Sequence, residues 1–341
     1  MSSNINGFIN LGNTCYLNAT LQVIFNIDKL NHYFLSKKFL EELNNNLKSN
    51  HFKTKNDIHL IQQYYQLTND YHTNNKKLLS NKNLLNSILK INNTFVINEQ
   101  HDSQEMIIFL LDNIHEALKY DVDVNYQGKS KNKTDLIVIE SINELSKILN
   151  KKYSIINELF FGMFYNELLS NEENSKGTFI SKKYEHFNNL TLQFAGNNLI
   201  ENLDLFFKDE LLDTPILNET TDIKQKAYKT IKISNAPPYL FITLKKYDIN
   251  QKSKESYEIP IDELKFSKYC VGYDEYNCIY QLIGVICHVG SLNFGHYYSI
   301  IKKKDKWYMC NDNNISEFNI EKQYKIINKN AYVLLYMKNK K

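Results

Sequence analysis

The hydrophobic and polar positions along the chain predict helices first and strands later. An apolar residue at Leu17 recurs at the i+4 and i+7 positions, the pattern of one buried helix face. A clearer helix follows in "DSQEMIIFLLDNIHEAL", where Met106 begins a run of apolar residues at four-residue spacing. Asp102 and Glu105 have the spacing of a capping box at its start. The N-terminal part is therefore predicted to be helical.

The C-terminal part contains the alternating and continuous apolar runs that are typical of β-strands. "KTIKISNAPPYLFITLKKYD" gives an alternating run, a break at Pro237-Pro238 and then a buried strand. "YQLIGVICHVG", "HYYSIIKKKDKWYMCND" and "NAYVLLYMK" predict further strands, with a hairpin turn at "KKKD". The polar run "NEENSKG", which ends at Gly177, predicts another hairpin. Together these patterns predict an α+β fold with a helical lobe in front of a sheet.

Composition and charge narrow the class of protein. The chain has 341 residues, 43% hydrophobic and 23% charged, and a net charge of +3, which is too balanced to indicate a nucleic-acid surface. No apolar run is long enough to predict a membrane span or a secretion signal, so an intracellular location is expected. The five cysteines are an odd number without a C-x-x-C pair, which favours free thiols and no metal or other cofactor.

One cysteine lies where a loop meets a helix. In "GFINLGNTCYLNATLQ", Asn13 or Thr14 can serve as the N-cap, which places Cys15 in the first helical turn. A helix N-terminus favours the thiolate form of cysteine, and the thiolate is the nucleophile. The alternative is that Cys15 is a small buried apolar residue, as many free cysteines are.

A nucleophilic cysteine needs a histidine base and a group that orients the ring. His296, directly after Gly295 at the edge of a predicted strand, suits the role better than His288, which resembles a structural histidine beside a buried strand. Asn311 or Asp312 on the neighbouring strand can hydrogen-bond the ring, although both residue types also initiate turns. The residues alone leave Asn311 and Asp312 as alternatives.

Several segments together resemble the ubiquitin-specific proteases. "GFINLGNTCYLNATLQ" is similar to the cysteine box of that family, and "YQLIGVICHVGSLNFGHYYSI" followed by "WYMCND" is similar to its histidine box. Between them, "QHDSQEMIIFLLDNIHEAL", "LFFG" and "APPYLFITLKKYD" resemble further family motifs, and "AYVLLYMK" resembles the terminal strand. The resemblance follows the order of the family and covers almost the whole chain.

The resemblance implies roles for the candidate residues. Cys15 corresponds to the nucleophile, His296 to the general base and Asn10 to the residue of the oxyanion hole, where an asparagine that only shapes the loop is the alternative. The third triad position falls on Asn311, and Asp312 matches the acidic residue that follows it.

The same resemblance implies contacts with the C-terminal tail of ubiquitin. Asp102 and Glu105 correspond to residues facing the tail, although helix capping explains both, and Asp102 can do both only if capping leaves one oxygen free. Gly295 and Tyr297 flank the base and are expected to line a channel for a Gly-Gly tail. For Tyr297, ordinary strand packing is the alternative.

The implied architecture is a single papain-like cysteine peptidase domain with a thumb, palm and fingers. The thumb corresponds to residues 1–120, the palm to 121–165 and 236–341, and short fingers to 166–235. Many family members bind zinc in the fingers through two C-x-x-C pairs, but this region contains no cysteine here. Smaller departures are Met106 for an aromatic residue, Ala19 for serine and Lys245-Lys246-Tyr247 for K-R-F.

The resemblance implies a monomeric deubiquitinase that cleaves after the C-terminal glycine of ubiquitin, with no nucleic-acid or membrane partner. Two alternatives remain. The protein can be a peptidase for another ubiquitin-like modifier, or a ubiquitin-binding module that has lost catalysis. The presence of Cys15, His296 and Asn311 argues against the second alternative.

Overall fold

The chain is described here by a computed structural model that covers residues 5–48, 55–73, 77–127, 129–172, 175–218, 222–246, 257–291 and 295–339. The helices in these residues are α1 Cys15–Ile24, α2 Asp28–Leu35, α3 Phe39–Lys48, α4 Lys55–Thr73, α5 Lys82–Ile91, α6 Ser103–Leu118, α7 Lys133–Ile148, α8 Ile155–Phe160, α9 Leu199–Phe206 and α10 Ile320–Asn330.

The strands in the same residues are β1 Gly7–Phe8, β2 Leu78–Leu79, β3 Tyr120–Asp121, β4 Lys152–Tyr153, β5 Gly162–Glu172, β6 Ser175–Phe187, β7 Asn189–Gln193, β8 Glu210–Leu211, β9 Ile216–Asn218, β10 Ile223–Gln225, β11 Ala227–Asn235, β12 Tyr239–Lys245, β13 Leu264–Lys265, β14 Ile279–Gly290, β15 Gly295–Lys303, β16 Lys306–Asn311, β17 Asn314–Phe318 and β18 Ala331–Lys338.

Helices dominate the N-terminal part, as predicted. The helix expected from Leu17 is α1, and the "DSQEM" helix is α6, with Asp102 as its N-cap. The capping box is only half present among the described residues, because the Asp102 side chain accepts the Gln104 N–H while Glu105 is exposed and does not return a bond to the Asp102 backbone. The predicted order of helices first and strands later holds only in part, because α9 and α10 lie among the later strands.

The predicted C-terminal strands form one large sheet. Its order is β17-β16-β15-β14-β18-β12-β7, and β13 pairs with β14 at the side. The break at Pro237-Pro238 separates β11 from β12, and the turn at "KKKD" joins β15 to β16. The chain therefore reverses direction where the sequence predicted.

Both faces of the large sheet are buried. On β12, Phe241 packs into the cluster shared with α1 and α6, whereas Leu240 and Ile242 point into a second cluster that contains residues of α9 and α10. On β14, Ile286 packs into the first of these clusters and Val285 into the second. Burial of alternate residues on opposite faces explains why these strands read as continuous apolar runs. The large sheet is thus a rigid support for residues at its strand ends.

A second, four-stranded sheet has the order β6-β5-β11-β8. Its β5 and β6 form the hairpin predicted at "NEENSKG", with Glu172 opposite Ser175; residues 173 and 174 of the turn lie outside the described residues. This sheet falls mostly in the region that the sequence assigns to the fingers. The thumb, palm and fingers boundaries remain a prediction, and Tyr247 of the "LKKYD" motif is also outside the described residues.

The described part of the chain has neither a membrane-spanning helix nor a side-chain cluster suited to a metal ion. None of its helices has the length and apolar character needed to cross a membrane. No group of three or more His, Cys, Asp or Glu side chains in it is arranged to hold a metal ion.

Candidate active site

Cys15 is the first residue of α1, directly after the N-cap Thr14. Thr14 does not cap the helix with its side chain; its hydroxyl accepts the Leu11 N–H at 2.9 Å and so shapes the loop before the helix. Gly12 in this loop has φ +101°, a left-handed conformation that favours glycine. Cys15 is 3% exposed, so it lies at the floor of the site rather than on the surface. Of the two predicted N-caps, the structure uses Thr14.

His296 lies on β15 between Cys15 and Asn311. Its Nε2 is 2.7 Å from Asn311 Oδ1. A side-chain hydrogen bond with Cys15 raises the pKa of His296 to about 9, partial burial opposes this, and the Asn311 hydrogen bond adds to the rise. A ring with this pKa holds its proton at pH 7. Since Nε2 faces Asn311, Nδ1 is the nitrogen left for Cys15, and the ring is the cationic partner that a thiolate requires.

Asp312 makes a different set of contacts from Asn311. It follows β16 with φ +50°, and its Oδ2 accepts from Asn10 Nδ2 at 2.9 Å. Its Oδ1 accepts from Asn18 Nδ2 at 2.7 Å. The carboxylate therefore holds two amides of the cysteine loop and helix, and it raises the pKa of His296 only as the last of several causes. Among the described contacts, Asn311 bonds the ring and Asp312 bonds Asn10.

Asn10 lies in the loop that leads to Cys15. Its Oδ1 accepts the backbone N–H groups of Gly12 at 3.1 Å and Thr14 at 3.2 Å, so the side chain shapes the loop. Its Nδ2 donates one N–H to Asp312. An amide nitrogen has two N–H groups, and the second remains for another acceptor. The two interpretations of Asn10, loop shaping and oxyanion binding, are therefore compatible.

The residues beside His296 are fixed by close contacts. A Cβ atom on Gly295 would lie 1.9 Å from His288 Nε2, so only glycine fits there. Gln100 holds the Gly295 backbone from the other side, accepting its N–H at 2.9 Å and donating to its carbonyl at 2.7 Å. His288 is buried and packs against Tyr297 with ring centroids 4.5 Å apart. His288 thus has the structural place that the sequence suggested.

A cavity of about 490 Å³ lies next to these residues. Tyr297, His288, Asp102 and Glu105 are among the residues that line it. Asp102 has a partner on each oxygen, because Oδ1 accepts the Gln104 N–H at 2.6 Å and Oδ2 accepts the Tyr332 hydroxyl at 2.5 Å. Capping therefore uses only Oδ1, and Oδ2 is held by Tyr332. Each oxygen retains a second lone pair, so a further donor in the cavity can still reach the carboxylate.

Three amides at the site were not singled out from the sequence. Asn18 is buried on α1 and joins Asp312 to Asn81, which donates to Asn18 Oδ1 at 2.6 Å. Gln100 pairs with Gly295 as described above. The position of Asn18 three residues after Cys15, as a polar residue on a fully buried helix, is a signal that could have identified it. Asn81 and Gln100 carry no such local signal.

The family comparison covers nearly the whole chain. The sequence pattern of the family described as "Ubiquitin carboxyl-terminal hydrolase" matches residues 6–336. The probable ubiquitin carboxyl-terminal hydrolase R319 of Acanthamoeba polyphaga mimivirus is 26% identical over 98% of this chain and 90% of its own length. Ubiquitin carboxyl-terminal hydrolase Usp2 of Drosophila melanogaster is also 26% identical over 98% of this chain, but the match spans only 35% of the fly protein.

Solved structures agree on the fold. The structure of the SAGA Ubp8/Sgf11/Sus1/Sgf73 DUB module bound to ubiquitin aldehyde contains a chain that superposes with a TM-score of 0.71. The two chains are 22% identical, and the match covers 98% of this chain and 70% of the other. The chain belongs to the ubiquitin carboxyl-terminal hydrolase family, and it is a thiol-dependent deubiquitinase with the α+β fold of the ubiquitin-specific proteases.

Proposed function

We propose that this chain uses Cys15, His296 and Asn311 to hydrolyse the peptide or isopeptide bond after the C-terminal glycine of ubiquitin. The observation that carries the proposal is the contact of His296 with both Cys15 and Asn311, which raises the pKa of the ring to about 9. An imidazolium beside a cysteine at a helix N-terminus stabilises the thiolate that attacks the carbonyl carbon. Asn311 keeps the ring oriented toward that cysteine.

The proposed reaction has two halves. The Cys15 thiolate attacks the glycine carbonyl, and His296 gives its proton to the departing amine. Water, which gives a proton to the neutral His296, then hydrolyses the thioester and restores the thiolate–imidazolium pair. In both halves the negative oxygen of the tetrahedral intermediate accepts the second N–H of Asn10. Asp312 serves this step indirectly because it holds the other N–H of Asn10.

The tail of ubiquitin is proposed to enter through the cavity lined by Asp102, Glu105 and Tyr297. The exposed carboxylate of Glu105 offers a negative charge for an arginine of the tail, and Asp102 adds its remaining lone pairs. Gly295 is proposed to border this channel, with its backbone held in place by the two hydrogen bonds to Gln100.

Reaction with a ubiquitin C-terminal electrophile tests the proposal. We expect one equivalent of label on Cys15, and no label on a Cys15→Ser variant. Cys287→Ser is the control, because Cys287 is a fully buried thiol on β14 whose pKa burial raises to about 12. Labelling that survives Cys15→Ser would refute the assignment of the nucleophile.

The same experiment separates the two alternatives. Tight binding of ubiquitin without labelling would indicate a binding module that has lost catalysis. Faster labelling by the electrophile of a different ubiquitin-like modifier would indicate that modifier as the substrate. The measurement therefore tests both the chemistry and the identity of the substrate.

We also propose a monomer in a reducing, intracellular compartment, cytoplasmic rather than nuclear. Its five cysteines are all free and buried, which suits such a compartment. Size-exclusion chromatography with light scattering checks the monomer: a mass near 40.3 kDa is expected, and twice that mass would contradict it.

A further inference from the structure

A chain of amide hydrogen bonds runs from α5 of the helical lobe to the oxyanion residue Asn10. Asn81 Nδ2 donates to Asn18 Oδ1 at 2.6 Å, and Asn18 Nδ2 donates to Asp312 Oδ1 at 2.7 Å. The other oxygen of Asp312 accepts from Asn10 Nδ2 at 2.9 Å. Asn81 is 1% exposed and Asn18 is 2% exposed, so water does not compete for the first link of this chain.

The chemistry of the carboxylate fixes the direction of every bond. A carboxylate only accepts, so Asn18 must present its NH2 group to Asp312. The carbonyl oxygen of Asn18 then faces Asn81, which must in turn present its NH2 group. The Asn18 NH2 group also donates to the Ile9 carbonyl at 3.4 Å, and Asn81 is the donor that holds the amide from its carbonyl side.

Asn81 donates to Asn18 although its position at the start of α5 favours a different hydrogen bond. It precedes α5 as the N-cap, yet its side chain makes no capping hydrogen bond. An asparagine at this position normally accepts a backbone N–H of the first turn and stabilises the helix by doing so. In addition, Asn81 Oδ1 is buried with no hydrogen-bond partner among the described residues. A residue that gives up its cap and leaves one polar atom unpaired is typical of a position constrained by function.

We infer that Asn81 is a positioning residue for catalysis, which through Asn18 and Asp312 holds the second N–H of Asn10 in place for the oxyanion. Asn81 does not touch the substrate in this scheme. The inference rests on the proposed function, since it assigns a role to Asn10 in hydrolysis. It predicts that a substitution at the N-cap of α5 lowers the rate of the chemical step and leaves ubiquitin binding unchanged.

The test is Asn81→Asp, which keeps the size of the side chain and removes its donors. The new carboxylate faces the carbonyl of Asn18, so the Asn18 amide turns over and Asp312 loses one of its two amide donors. We expect kcat for a fluorogenic ubiquitin C-terminal amide to fall about tenfold, less than the 10²- to 10³-fold typical of losing an oxyanion donor, with KM unchanged. Alkylation of Cys15 by iodoacetamide, which forms no oxyanion, should keep its wild-type rate.

Asn31→Asp is the matched control. Asn31 is an asparagine of α2 with 0% exposure, and like Asn81 it makes one donor bond, to the Phe25 carbonyl at 2.7 Å, and has a buried Oδ1 without a partner among the described residues. We expect Asn31→Asp to lower the melting temperature and to leave kcat unchanged when rates are normalised to the Cys15 titrated by iodoacetamide. An equal loss of kcat in both variants would mean general destabilisation and would overturn the inference.

A double-mutant cycle tests the route through Asn10. If Asn81 acts only through Asn10, adding Asn81→Asp to Asn10→Ala should cost no further activity, whereas independent effects would multiply. Multiplying effects, or a wild-type kcat in Asn81→Asp, would overturn the inference. Asn81→Ala, which removes the donor without adding a charge, carries the same test if Asn81→Asp does not fold.

The proposed function fails in a different way. If the wild-type protein neither cleaves the ubiquitin substrate nor reacts with the ubiquitin electrophile, the proposed function is wrong and this inference falls with it. If the wild-type protein is active and only the Asn81 variants behave otherwise than expected, the proposed function stands and the inference alone is refuted.

Discussion

The division of roles between Asn311 and Asp312 leads to a prediction that can be tested with two substitutions. In Asn311→Ala, His296 loses a 2.7 Å hydrogen bond to its charged ring. In Asp312→Ala, Asn10 and Asn18 lose their shared acceptor, while the ring keeps its bond to Asn311. The first change therefore acts on the base, and the second acts on the oxyanion residue.

The magnitudes follow from the kind of bond that each substitution removes. A hydrogen bond to a charged group contributes about 1.5–3 kcal/mol, and partial exposure of His296 to solvent favours the lower end, so kcat/KM in Asn311→Ala should fall about tenfold or somewhat more. In Asp312→Ala the fall is limited by the contribution of Asn10, about 10²- to 10³-fold for an oxyanion donor. The size of the fall alone thus does not separate the two roles.

The pH profile separates them. The Asn311 hydrogen bond is one cause of the raised pKa of His296, and Asp312 is a smaller one. The descending limb of kcat/KM, where the imidazolium loses its proton, lies near pH 9 for the wild type if His296 controls it. Because Asn311→Ala removes a cause of the rise, the limb should move to lower pH. It should move less in Asp312→Ala.

The assay is kcat/KM for a ubiquitin C-terminal amide from pH 5 to pH 10, together with the rate of Cys15 alkylation by iodoacetamide. Asn311→Ala should slow alkylation near pH 8, and Asp312→Ala should leave it almost unchanged. Asn314→Ala is the control, because Asn314 is an exposed asparagine of the same hairpin. A larger shift of the limb in Asp312→Ala than in Asn311→Ala would move the orienting role to Asp312 and refute this reasoning.

Three further predictions concern other parts of the chain. Gly295→Ala should abolish most activity because the new Cβ meets His288 Nε2 at 1.9 Å. Adding His288→Ala to this variant should restore part of the kcat. No gain from the second substitution would refute the steric explanation. Burial lowers the pKa of His72 to about 4, so the folded protein favours the neutral ring. The contribution of His72 to the free energy of unfolding is therefore fully present above pH 6.5, and about 3 kcal/mol of it should be lost as the pH drops to 4. His72→Gln should flatten this dependence in urea titrations and a change at the exposed His32 should not; an unaltered slope would contradict the assignment. Elemental analysis should find no stoichiometric zinc, and bound zinc would refute the cysteine argument for metal-free fingers.

Much of the fold was predictable because short stretches of sequence determine its helices, strands and turns. The helix after Asp102, the break at Pro237-Pro238 and the hairpin at "KKKD" each depend on a few neighbouring residues, and the structure has all three. Helix α7 was not predicted from its sequence. Its apolar residues begin with four in a row, at 136–139, and several of them, such as Leu136 and Ile142, are exposed, so they do not mark one buried helix face.

The sequence by itself determined the residue types at the site, the loop-to-helix position of Cys15 and the strand-edge position of His296. Only the tertiary structure decided which groups Asn311 and Asp312 contact, because adjacent side chains point to different partners once the chain turns at Asp312 with positive φ. It also brought in Asn81, which is 63 positions away from its partner Asn18. Hydrogen bonds between distant segments depend on how the helices pack, and no short stretch of sequence records that packing.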